Sequence, residues 1–125
     1  MKTTYLRNKI LDHVTGKATY TKPANTYLGL LKEDPTVAGL TTDEVTGGGY
    51  TREQVTWETA ADGMIKSDAL IEFENMPAST IKYWAVFDAS TAGNMLYYFP
   101  IAIPLQVSAT QDLTIDADNL ILREV

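Results

Sequence analysis

The sequence predicts a mainly β fold: an antiparallel, jelly-roll-like β-sandwich of about eight strands, preceded by one short N-terminal α-helix. Helical periodicity appears once, at the start. After it come short runs rich in β-branched and aromatic residues, with turn signals recurring roughly every 8 to 12 positions in the second half. No helical segments alternate with strands, which argues against a parallel α/β sheet. At 125 residues the chain suits one domain. We divide it into the helix, residues 1–16, and a single β-sandwich domain, residues 17–125.

Residues 3–14 carry the helix. Leu6, Ile10 and Val14 recur every four positions as one apolar stripe, with Leu11 beside it. Thr3 or Thr4 can cap the first turn by accepting a backbone N–H. Gly16 stands where a left-handed C-terminal cap belongs. About three turns are marginal alone, so the stripe must dock, either on the chain's own body or on a neighbouring subunit.

Pro23 sets the start of NTYLGLLK (25–32), which is apolar on both faces and reads as a buried strand. Residues 32–49 form a long loop rich in Thr, Asp and Gly. TREQVTWE (51–58) alternates as a strand. ADG (61–63) is a turn, and MIKSDALIEFEN supplies one or two short strands. STIKYWAVFDA (79–89) is the strongest strand pattern. Ile81, Tyr83, Ala85 and Phe87 face one way; Lys82, Trp84, Val86 and Asp88 face the other. Two largely apolar faces suit a central strand between layers. STAGN (90–94) is a hairpin loop. MLYYFPIAIPLQV follows, with Pro100 and Pro104 each removing a ladder donor, so it belongs at an edge or bends between sheets. DLTID and LILREV close the chain around the turn-prone DADN.

The formal charge of −6 opposes nucleic-acid binding, which rewards clustered Lys and Arg. No apolar run approaches the roughly 20 residues of a membrane span. The start, MKTTYLRNKILDHV, lacks the apolar core of a signal peptide. With no cysteine there is no disulfide, zinc-thiolate site or thiol nucleophile.

Each catalytic or binding pattern has a plainer reading. The run Gly47, Gly48, Gly49 lacks the following helix and Lys-Ser/Thr pair of a phosphate loop, and Asp43 and Glu44 would repel phosphate. It reads as a structural turn in which glycine accepts positive φ, anchored by the ring of Tyr50. Glu72 and Glu74 share a strand face, but alternate with Ile71 and Phe73 as an exposed face does. His13, the single histidine, has no G-x-S-x-G elbow to serve. DADN lacks the spaced glycine and distal glutamate of a calcium loop. No cofactor or metal is implied.

Tyr83, Trp84, Phe87, Tyr97, Tyr98 and Phe99 fall on two adjacent strand patterns. Those pointing outward would form an intersubunit patch or a platform for stacking on sugars. The residues singled out for such contact are Leu6, Ile10, Val14, Trp84, Tyr97 and Tyr98.

Several segments in fixed order resemble a family of small phage virion proteins, described as tail-fibre-like, head-fibre or decoration proteins. They are Glu44-Val45 before Gly47-Gly48-Gly49-Tyr50 with Arg52, and Phe87-Asp88-Ala89 before Gly93-Asn94 and Tyr97-Tyr98, between a helix with its Y-T-x-P-A strand and a terminal LTIDADNLILREV. The likeness spans essentially the whole chain; Pro100 and Pro104 depart from it. It implies a non-enzymatic virion part in symmetric multiple copies, a trimer for example, partnered by itself and other virion proteins and assembled in the host cytoplasm. The alternative function is a carbohydrate-binding module reading host-surface glycans.

Overall fold

Helix α1 spans Thr4–Val14 in the computed structural model, which describes residues 1–124. Thr3 is its N-cap, held extended while its Oγ1 accepts the Leu6 N–H at 3.4 Å. Gly16 takes φ +77 just past the end and donates its N–H to the His13 carbonyl at 3.2 Å.

Among the described residues eight strands follow: β1 Thr26–Leu31, β2 Glu53–Val55, β3 Met64–Lys66, β4 Ile71–Phe73, β5 Ser79–Phe87, β6 Met95–Val107, β7 Leu113–Ile115 and β8 Ile121–Arg123. They form one four-stranded sheet, ordered β2-β1-β5-β6, and two ribbons, β3-β8 and β4-β7. Every pairing is antiparallel. The pairs β3-β8, β4-β7 and β5-β6 nest one inside the next, as in a ribbon folded over itself. The expected sandwich is therefore present, with two separate ribbons as its second layer.

The strand pattern at 51–58 yields only the three residues of β2. Beyond it the chain leaves β1, and Trp57 instead bridges Ser67. The MIKSDALIEFEN segment resolves into two strands, β3 and β4.

A core lies on each face of the sheet. The first joins Leu28, Leu30, Val55 and Val86 of the sheet to Ile71 and Phe73 of β4 and to Leu120. The second contains Leu31, Ala85, Phe87, Met95 and Tyr98, on the face where α1 packs against β6. Apolar residues on both faces of β1 and β5 thus match their central places in the sheet order.

One face assignment is corrected. Ile81 lies in the first core with Val86, not in the second with Ala85 and Phe87. The ladder breaks beside it: Ile81 pairs Leu105 but Tyr83 pairs Pro100, so Lys82 alone opposes the four residues 101–104. Such a bulge interrupts strict alternation. Pro100 stands at its border and Pro104 lies within it, on a strand at the sheet edge. The N-terminus covers part of that edge: the N–H of Thr3 donates to the Leu96 carbonyl at 3.0 Å, and that of Tyr98 to the Met1 carbonyl at 2.9 Å.

Candidate functional site

The long loop 32–49, the start of the TREQV segment and the β5-β6 hairpin meet at one polar knot. Val45 N–H donates to the Leu30 carbonyl at 3.0 Å, which brings Glu44 alongside β1. Arg52 reaches Glu44 with a fork: Nε donates to Oε2 at 2.8 Å and Nη2 to Oε1 at 2.9 Å. Nη1 donates to the carbonyls of Ala89 and Ala92, at 3.0 and 2.8 Å. The guanidinium lies over the Phe87 ring, 3.5 Å from its centroid. One arginine thus ties two loops together by charge, geometry and stacking.

Tyr50 completes the knot. Its hydroxyl donates to Glu44 Oε2 at 2.8 Å and accepts the Leu30 N–H at 3.1 Å. Its ring stacks on Phe73, 6° from parallel. Burial, and then the charge of Glu44, push the phenol above its ordinary range. Just before it, Gly47 and Gly48 take φ of +97 and +55. A Cβ on Gly48 would lie 2.9 Å from the Asn75 carbonyl oxygen and the Pro77 nitrogen. Across the knot, Asp88 accepts the Asn94 backbone N–H at 2.7 Å and its side-chain amide at 3.0 Å, closing the hairpin loop.

The knot borders a shallow open depression of about 260 Å³, lined in part by Thr51, Ser90 and Thr91. Nε, Nη1 and Nη2 of Arg52 hold Glu44 and two backbone carbonyls, and the Glu44 oxygens hold Arg52 and Tyr50, which suits a brace between loops. Elsewhere, among the described residues, no group of three His, Cys, Asp or Glu side chains is placed to hold a metal ion. His13 Nδ1 accepts the Tyr20 N–H at 3.1 Å at the end of α1. The neighbouring Glu74 carboxyl, and then desolvation, raise the Glu72 carboxyl above its ordinary value. It lies between the buried Ile71 and Phe73 of β4.

The residues of this knot are those of two motifs far apart in sequence, Glu44 to Arg52 and Phe87 to Asn94. The profile of a protein family described as "Podophage GP4 fiber I protein gp80" matches residues 1–123. The chain belongs to this family. It is a phage virion structural protein of the fibre type, a class that is generally non-enzymatic. No curated protein matches the chain.

Within this fiber I protein the other singled-out residues separate. Tyr98 is 5% exposed and sits in the second core, so it offers no ring outside. Trp84 and Tyr97 are half-buried and pack on the first core. The Tyr97 hydroxyl donates to Glu124 at 2.6 Å. Leu6 is buried beneath α1, Ile10 is half-buried, and Val14 is 77% exposed. The expected stripe is therefore split: Leu6 docks on the chain's own body, whereas Val14, together with Leu11 at 62%, faces out.

In the sequence Glu44, Arg52, Phe87 and Asp88 read only as marks of kinship, and not as Arg52 joining Glu44 to Phe87 or Asp88 closing the hairpin on Asn94. The signal was present in their chemistry. A lone Arg after an acidic loop needs an anion, and an Asp facing Asn across a tight hairpin suits a side-chain-closed loop.

Proposed function

We propose that this chain is a non-catalytic module of the phage fibre, assembled in several copies and attached to a further virion protein. The observation that carries this reading is the outward face of α1. Leu11 and Val14 stand exposed beside the half-buried Ile10, on a helix whose inner residue Leu6 already holds it to the body. A helix needing only its own domain would turn such residues inward. Beside them, Met1, Lys2, Arg7, Ile10 and Leu11 line an open groove of about 470 Å³. The loop brace supports the same reading, because its charges stiffen the frame and leave no obvious nucleophile and base.

Sedimentation velocity of the purified chain tests the copy number. The expected result is one defined oligomer, with a trimer the first candidate. A strictly monomeric chain that also binds no other virion protein overturns the proposal. Imaging of the particle then distinguishes head decoration from a tail fibre.

A further inference from the structure

Residues 1–24 form an arm with three distinct parts. Its hook is the first six residues. The Met1 amine donates to the Tyr98 carbonyl at 3.0 Å, and Lys2 pairs with Glu124 at 2.6 Å. Thr3, 1% exposed, donates its hydroxyl to the Met95 carbonyl at 2.7 Å and its N–H to Leu96. Thr4 N–H donates to Val37, and Leu6 is buried.

The second part is a spacer whose backbone hydrogen bonds close on the helix end itself. The N–H groups of Thr15, Gly16, Lys17, Ala18 and Tyr20 all donate back to residues 11–13 of the helix end. The third is a hinge: residues 21–24 take part in no hydrogen bond among the described residues. So the hook grips β6, and the spacer leaves with the hook rather than with the body.

We infer that this arm is exchanged between copies: the hook of one chain completes the β6 edge of its neighbour. The inference rests on the multi-copy reading above. The contacts made in exchange are those already seen within one chain, so they lose nothing by changing partner. What remains is the entropy of association, which the high local concentration of an assembly reduces. Reach suffices as well. Eleven helical residues span about 16 Å and four extended hinge residues about 13 Å, together the scale of a domain's width. Backbone pairing to a sheet edge gives the hook affinity without a preformed pocket.

Lys2 and Tyr97 are antiparallel bridge partners, and the chain has no cysteine of its own. Opposed residues in such a pair lie close enough for a disulfide. Full-length Lys2→Cys and Tyr97→Cys chains are refolded together, oxidised, and run without reductant. A covalent dimer of one chain of each kind is expected, and it should be lost when Lys66→Cys replaces Lys2→Cys. No mixed dimer above that control, while the double variant closes within one chain, overturns exchange. A double variant that does not close removes the contact itself and the inference with it. Should Tyr97→Cys fail to fold, carbodiimide coupling of the Lys2–Glu124 ion pair takes its place, with a covalent dimer of the unmodified chain expected and its loss in Lys2→Arg as the control. Sedimentation of the unmodified chain separates the two failures: a stable oligomer without mixed dimer sinks exchange and leaves the multi-copy reading standing.

Discussion

Arg52 is the side chain on which most of the loop geometry depends. Its partner Glu44 has only 14% of its side chain exposed, and Arg52 has 6%. Removing one member of a buried pair leaves the other charge desolvated and unpaired, which costs about 3–5 kcal/mol. Arg52→Ala should therefore destabilise by that order, and it also frees the carbonyls of Ala89 and Ala92. Arg52→Lys should fall between, because it keeps the charge but loses the fork and the stacking on Phe87. Guanidinium unfolding measures both; a loss below about 1 kcal/mol for Arg52→Ala would place this pair with surface ion pairs. Glu124 makes a different, pH-dependent contribution. Burial pushes its carboxyl up, but hydrogen bonds from Lys2 and Tyr97 outweigh that and hold it below its ordinary 4.5. A depressed carboxyl adds stability that is complete above the unfolded value and lost as pH falls through the folded one. The stability gap between wild type and Glu124→Gln should thus shrink from about pH 7 to about pH 3, read from urea midpoints. A constant gap would mean that Glu124 acts through packing alone.

At the scale of elements, the glycine run separates two kinds of turn strain. A Cβ on Gly47 would meet nothing within 4 Å, so Ala there meets only the unfavourable positive φ. At Gly48 the same strain is joined by contacts of 2.9 Å to backbone atoms that cannot swing aside. Gly48→Ala should cost more than Gly47→Ala, with each φ penalty of order 1–3 kcal/mol. Equal losses in chemical denaturation would show that the loop shifts as a unit. What could be read in advance follows the same division between local and distant causes. The helix, a threonine cap at Thr3 or Thr4, the alternation of β4 and the edge or bend at β6 each follow from residues within one segment. The Pro100 and Pro104 pair pointed to an edge or a bend, and β6 lies at the edge. The face of Ile81 was not legible, because the bulge that moves it lies on β6. The short length of β2 was hidden likewise, since the switch of partner at Trp57 depends on Ser67. The Glu44–Arg52–Phe87 knot needs two loops to meet, and periodicity has no term for that. Tyr98 looked like its neighbours in YYF; only the sheet order shows which ring faces the second core.

At the scale of the molecule, the question is how copies join without disturbing the frame. Deleting the arm is a poor test. Thr3 and Leu6 are buried, and residues 1–3 bond the edge of β6, so truncation would harm the body as well as any contact. Leu11 and Val14 avoid that confusion, because their side chains already stand in solvent. Surface substitutions away from caps and cores usually change stability by no more than about 0.5 kcal/mol. Leu11→Glu with Val14→Glu should therefore leave the unfolding midpoint nearly unchanged. In an assembled interface the same charges would be stripped of water without a partner, at several kcal/mol, and binding would fall by orders of magnitude. The double variant should accordingly sediment as a folded, smaller species at concentrations where the parent chain is oligomeric. An unchanged oligomer would move the joining surface off this helical face and leave the exchanged hook to hold the copies together. Loss of the oligomer with the mixed disulfide retained would show that the hook exchanges without help from the stripe.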